Sequence, residues 1–445
     1  MSNQISKPVL GSYAAVALPT GAMAMPIAVY LPPLYGESLG LSLATVGLVF
    51  TLARIWDVIT DPIMGVVIDK YGSRWGQYKH WIAVSIPILM LAVYMVFLPN
   101  EESVSAIYLG GWLLVLYVGY TILSIAHQSW GAQLASGYNE RSRLYGWREI
   151  FVISGMGLVL AIPVAVEMLG EAALTTKVAS MGLFCLILFP LTMLPTLLVV
   201  PDQRNHRPAR IDWREALSLV RANASLWRLL IADLTSNFAT SATAALYIFF
   251  ASYVFELPNH ASTALLLYFF AGFVAMPMWM QLSYKVGKTR AIQLALGYGI
   301  VVQSGLFLLA EPGNVAMFWG YTFFYGIAYG AVPPLLRSMM ADVTDVDELQ
   351  TGTKRAGMFF ALLTTVNKLG SAVAVGVALT TADLVFGFVP GSENSPAAIH
   401  GLLVIYCFVP VCGLALAYLP LLRYPLTKEK HEEIREALSS ARTQD

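Results

Sequence analysis

The chain has 445 residues, 57% of them hydrophobic and 12% charged, with 27 Lys and Arg balanced by 27 Asp and Glu, and its mean hydropathy is +0.65. Soluble domains carry about 25% charged residues, so this composition is that of a membrane protein. The zero net charge gives no bulk attraction to nucleic acid, and none is expected as a partner.

The N-terminal stretch MSNQISKPVLGSYAAVALPTG has no basic start, compact apolar core or cleavage site, so no removable signal peptide is read there. A helix needs about 20 apolar residues to cross a bilayer. Twelve candidate spans follow, near 11–35, 44–68, 80–98, 106–134, 147–168, 178–200, 228–255, 262–284, 290–310, 315–341, 357–384 and 398–423. Cys185, Cys407 and Cys412 all fall in apolar runs without metal-ligand spacing and read as small buried side chains. Tyr35, Trp75, Trp81 and Trp227 stand near span ends and read as interfacial anchors.

Charge sets the expected orientation. Among the 27 Lys and Arg, Arg54 and Lys368 fall within spans and Lys177 falls in an outer loop, while the rest gather at one set of helix ends. The other set carries Glu37, Glu101, Glu102, Glu171, Glu256, Glu311 and Glu393. The positive-inside rule then puts both termini in the cytoplasm, with the chain in a bacterial-type inner membrane.

The longest polar stretch, residues 201–227, divides the spans into six and six. The expected organisation is a six-helix bundle over 1–200, a cytoplasmic linker over 201–227, a second bundle over 228–423 and a tail over 424–445. Ile211, Ala216, Leu217 and Val220 form one apolar face, so the linker reads as a helix lying on the membrane. The tail LTKEKHEEIREALSSARTQD reads the same way. The halves also echo each other. DKYGSRWG follows span two and YKVGKTRA follows span eight, while ERSRLYGWREIF precedes span five and TGTKRAGMFFAL precedes span eleven. Six-plus-six repetition suits two bundles that move around a midplane site. The predicted fold class is an all-α integral membrane protein of twelve helices in two pseudo-symmetric bundles.

Span two contains RIWDVITDPIMG, residues 54–65. Asp57 and Asp61 are four residues apart and share a helix face. A charge at the bilayer centre costs about 2.5–3.5 kcal/mol on insertion scales, and like charges at this spacing repel. The pair is tolerable when one group is protonated or a cation sits between them, and either state is a coupling site that titrates as a unit. Pro62 frees the carbonyl of residue 58 from its helix bond, adding an oxygen of the kind hard cations take. Asp57 and Asp61 are therefore the candidate ligands of a proton, or of Na+ if coupling is to sodium. The alternative is local pairing, with Arg54 neutralising Asp57 and Asp61 hydrated near a helix end.

RIWDVITDPIMG, continuing through DKYGSRWGQYKHW, resembles the glycoside–pentoside–hexuronide:cation symporters, a branch of the major facilitator superfamily. YTILSIAHQSWGAQLA with NERSRLYGWREIF resembles that family's fourth and fifth helices. ADVTDVDELQTGTKRAGMFF with VNKLGSAVAV resembles its tenth-to-eleventh region, and PLTKEKHEEI its tail. The resemblance implies the major facilitator fold, alternating access and no chemical conversion of the solute. It places Asp57 and Asp61 at cation-site positions and Thr121 at a hydroxyl position there. It places Arg148 and Lys368 at basic positions lining the cavity. Thr60 stands where the sodium-coupled melibiose branch has an asparagine. Gly21 and Ser124 stand at acidic sugar-binding positions of that branch, and Gln128 at its sugar-stacking tryptophan. These departures keep the coupling and unsettle the sugar.

Further candidates come from the residues themselves. His127 is read as a proton or substrate group, or as a hydrogen-bonding partner of a neighbouring helix. Asp233 and Asn237 share a face of span seven, with Asp233 placed near the inner end and Asn237 in the cavity. Arg148 and Lys368 need partners, met by an anionic solute or by the aspartates. Asp342 and Asp345, with Lys70 and Arg74 on turns of the same side, are candidate gate residues. The functional expectation is a cation-coupled symporter, driven by H+ or Na+, importing a glycoside-, pentoside- or hexuronide-like and anionic solute. It is expected as a monomer in the bilayer without a resident cofactor. The alternative is a same-fold carrier of a lysolipid-like amphipath. No catalytic set or phosphate-binding loop supports an enzyme.

Overall fold

The computed structural model describes residues 5–135, 138–170, 173–202, 220, 223–351 and 356–442, and these are helical almost throughout. Helix is what the membrane demands, because it satisfies every backbone N–H and C=O within its own segment. The first span, Lys7–Ser38, joins α1 (Lys7–Ala15), α2 (Ala17–Met25) and two π-helical turns. There follow α3 (Leu43–Lys70), α4 (Lys79–Phe97), α5 (Ala106–Leu134), α6 (Tyr138–Met168) and α7 (Leu174–Val199). The second series is α8 (Ala224–Phe249), α9 (Ala261–Val286), α10 (Lys288–Leu309), α11 (Val315–Tyr329), α12 (Val332–Thr351), α13 (Ala356–Thr380), α14 (Pro396–Leu421) and α15 (Lys428–Arg442). Several starts are set locally. Ser42, Ser105, Asn314 and Ser395 each accept a backbone N–H three residues on, and Asn223 accepts two, from Ser225 and Leu226.

Among the described residues, eleven helices are long and apolar enough to cross a membrane. The difference from the twelve expected is α8. At 26 residues it is long enough, but it carries Arg228 and Asp233 with a run of Ser, Thr and Asn.

The chain separates into two units, residues 1–210 with 389–394, and residues 211–388 with 395–445. Each has the same internal pairing. In the first, α2 packs on α6, α3 on α5 and α4 on α7; in the second, α8 packs on α13, α9 on α11 and α10 on α14. Glycines make the tightest crossings. A Cβ at Gly21 would strike the Val152 carbonyl and one at Gly155 the Leu18 carbonyl, so α2 and α6 touch backbone to backbone. At the equivalent crossing, a Cβ at Gly370 of α13 would strike the Leu234 carbonyl of α8. Small residues allow such approach where apolar lipid supplies no drive for association.

Several expectations change. Lys177, the outlying basic residue, donates to Glu167 at 2.8 Å, with both side chains only 5% exposed. Tyr35 is fully buried and donates to the Val96 carbonyl, so it is a packing residue rather than an anchor. Cys185 and Cys407 are buried as expected, but Cys412 faces outward. The tail helix α15 packs on α12, with Ile434 against the core of the second unit, rather than standing apart as a surface helix. Ile211, Ala216 and Leu217 lie outside the described residues.

Candidate functional site

The face shared by Asp57 and Asp61 on α3 meets Thr121 on α5. Thr121 Oγ1 is 2.8 Å from Asp57 Oδ1 and 2.9 Å from Asp61 Oδ1. Asp57 and Thr121 are fully buried, and Asp61 is half-buried. A threonine hydroxyl has one hydrogen and can donate to only one of two carboxylates. The second short oxygen–oxygen contact then needs a positive centre: a proton on one carboxyl, donated back to Oγ1, or a cation between the oxygens. Arg54 reaches the other oxygen of Asp57, Oδ2, at 3.5 Å, while its guanidinium lies 4.5 Å over the Tyr117 ring. Local pairing is therefore present but long, and it occupies the side of Asp57 turned away from Thr121. Thr60 turns its hydroxyl to the Asp57 backbone carbonyl at 3.2 Å.

The sequence pairs Asp57 with Asp61 by helix periodicity. Thr121 lies 60 positions further along the chain from Asp61, and only packing of α5 on α3 brings it to them.

The other candidates are placed as follows. His127 is 2% exposed; its Nε2 is 2.8 Å from the Tyr13 carbonyl, its own carbonyl accepts from the Tyr13 hydroxyl at 2.9 Å, and the rings stack at 4.2 Å. Its ring is engaged with the first span, the second of the two readings given above. Ser124 bonds back to the Thr121 carbonyl at 3.3 Å. Gln128 is exposed, and its carbonyl accepts from Tyr145. No side chain fits at Gly21, because the Val152 carbonyl occupies the place. Arg148 lies 3.7 Å from Glu149, with its Nε buried and without a hydrogen-bond partner among the described residues. Lys368 is half-buried on α13. Asp342 pairs with Lys288 at 2.7 Å, and His431 of the tail lies 3.0 Å from Asp345 and 3.4 Å from Asp342. Lys70 and Arg74 are exposed.

The second unit holds a cavity of about 280 Å³ that sequence reading did not assemble. Asp233, Ser236, Asn237 and Thr240 of α8 line it, with Tyr268 of α9, Tyr325 and Tyr329 of α11, Arg337 of α12 and Asn367 of α13. Asp233 is therefore a cavity residue like Asn237, not a group at the helix end. Asn237 Nδ2 donates to Asp233 Oδ1 at 3.1 Å. The signal was present in α8, whose polar residues at 233, 236, 237 and 240 keep to one face. Arg337, sitting between the aromatic end of α11 and the acidic end of α12, gave no such pattern.

The family model described as "MFS/sugar transport protein" matches residues 12–428. The chain belongs to this family. It is a multi-pass membrane transporter, not an enzyme. Among relatives, the inner membrane symporter YicJ of Escherichia coli (strain K12) is 23% identical over 434 residues, covering 94% of this chain and 91% of that protein. The isoprimeverose transporter of Lactiplantibacillus pentosus is 22% identical over 415 residues, covering 90% of this chain and 85% of that protein. Among solved structures, the nucleoside transporter NupG has a TM-score of 0.64 at 15% identity, covering 94% of this chain and 98% of that one. At that identity the likeness speaks for the major facilitator fold alone, and the helix pairing repeated in the two units agrees with it.

Proposed function

We propose that this MFS/sugar transport family member is a cation-coupled symporter that imports a glycoside-like solute by alternating access, with both termini cytoplasmic. The observation that carries the coupling site is the Thr121 hydroxyl held by both Asp57 and Asp61. Three oxygens share one hydroxyl hydrogen there, an arrangement that a proton or a cation among them completes. That positive centre is the transported ion, a proton or Na+, bound and released as the solute crosses. Arg54 sets the residual charge of the cluster through Asp57 Oδ2. The names of the symporter and isoprimeverose relatives support coupled uptake and a glycosidic solute. Arg148 and Lys368 are the proposed partners of an anionic substituent on that solute.

The test uses de-energised, weakly buffered cells that express the protein. Sugars, glycosides, uronates and lysolipids are added with and without sodium while external pH and sodium are recorded. A solute-triggered alkalinisation or sodium drop, absent in Asp57→Asn/Asp61→Asn, is expected. An equal response in that variant removes the role assigned to the two aspartates. A response to lysolipids and to no sugar replaces the solute class and leaves the coupling site.

A further inference from the structure

We infer that the cavity of the second unit is a subsite for a single uncharged glycosyl ring, in which Asp233 reads a ring hydroxyl. The inference rests on the reading of the solute as glycoside-like and adds where and how one of its rings is held.

Asp233 is 5% exposed. Its Oδ1 accepts from Asn237, and Asn367 also acts on the carboxylate, but Oδ2 is buried and makes no well-formed hydrogen bond among the described residues. A buried carboxylate oxygen without a donor is costly, and native sites that carry one call for an explanation. Here Oδ2 belongs to a residue that lines an open cavity, and a turn of the carboxyl that brings it to a ligand donor there removes the cost. The donor is a hydroxyl rather than a cation. Arg337 lines the same cavity and already brings one positive charge to it. A second positive group would meet that charge; a neutral O–H would not.

The rest of the lining fits a ring. Tyr268 packs with Tyr325 at 5.9 Å and with Tyr329 at 5.5 Å between centroids, so the wall of the same cavity carries a cluster of three tyrosine rings. A sugar needs this combination of aromatic face for its C–H side and polar groups for its hydroxyls. The volume, about 280 Å³, is at the small end of ligand sites and suits one ring rather than two. Ser236, Thr240 and Asn237 spend their hydrogens on backbone carbonyls and on Asp233 and offer acceptor oxygens, while Asn367 adds an amide to the lining.

The experiment measures equilibrium binding of a nitrophenyl glycoside panel to the full chain in lipid nanodiscs, with no cation gradient. Asp233→Asn is expected to raise Kd about tenfold, the effect of losing one hydrogen bond to a charged acceptor. In a series of deoxy-glycosides, one missing hydroxyl is expected to weaken binding to the natural protein and not to Asp233→Asn. A merely structural role for Asp233 would not produce that match. Should Asp233→Asn not fold, Tyr329→Ala reads the same cavity through loss of the ring face, with weaker binding of every glycoside expected. Equal affinity in variant and natural protein, the same deoxy cost in both, or no glycoside bound by the natural protein overturns the inference. Gradient-driven uptake is recorded separately. Binding that depends on Asp233 without cation-driven accumulation sinks the coupling proposal and leaves the subsite; coupled uptake indifferent to Asp233 does the reverse.

Discussion

Tyr13 and His127 tie the first span to the fourth from both directions. The Tyr13 hydroxyl donates to the His127 carbonyl at 2.9 Å, and His127 Nε2 lies 2.8 Å from the Tyr13 carbonyl. A carbonyl only accepts, so Nε2 carries its hydrogen. The pair is stacked and buried. Tyr13→Phe removes one bond and should cost about 1 kcal/mol. His127→Ala also empties the stack and should cost more, about 2–5 kcal/mol by analogy with other large-to-small core changes. His127→Gln keeps a donor for the Tyr13 carbonyl and should recover part of the loss. Thermal unfolding in detergent checks the order; a midpoint unmoved by His127→Ala would refute it.

Thr121 should divide variants by chemistry rather than size. Thr121→Ser keeps the hydroxyl between Asp57 and Asp61 and should retain cation-driven uptake. Thr121→Val keeps the shape and removes it, and should weaken cation affinity about tenfold, equivalent to one hydrogen bond to a charged group. Thr60→Val should do much less, since that hydroxyl bonds its own helix at the Asp57 carbonyl. Uptake against cation concentration in proteoliposomes measures all three, and equal curves for Thr121→Ser and Thr121→Val would count against the site.

Gly21 tests why no acidic side chain stands on the first span at that point. Its missing Cβ leaves room for the Val152 carbonyl of α6. Gly21→Ala should therefore separate α2 from α6 and destabilise by about 1–3 kcal/mol, as overpacking does. Gly21→Asp should be worse. Gly11→Ala, where a Cβ meets nothing within 4 Å, is the control. Yield and thermal midpoint by fluorescence size-exclusion report the difference.

Lys177 and Glu167 form an ion pair with side chains 5% exposed. Removing one partner strands a buried charge. Lys177→Met alone should cost about 3–5 kcal/mol, while Lys177→Met with Glu167→Leu should recover most of it. The double-mutant cycle is read by thermal unfolding, and additive losses would show that the two do not interact.

The amino-acid sequence by itself determined the membrane setting, the six-and-six order and the carboxylate pair. Each depends on residues near one another in the chain: apolar runs of span length, a polar stretch at 201–227, and a spacing of four between Asp57 and Asp61. Helix periodicity converts such spacings directly into faces. Tertiary structure decided what those faces meet. Thr121 completes the aspartate pair only because α5 packs on α3. Asp233 becomes a cavity group only because six other helices, α9 to α14, close around α8. His127 turns to Tyr13, and Asp342 to Lys288, across 114 and 54 positions. In a chain whose backbone bonds are satisfied inside each helix, local sequence determines the helices. Their side-chain partners follow from crossings set by small residues such as Gly21 and Gly370, which no local pattern encodes.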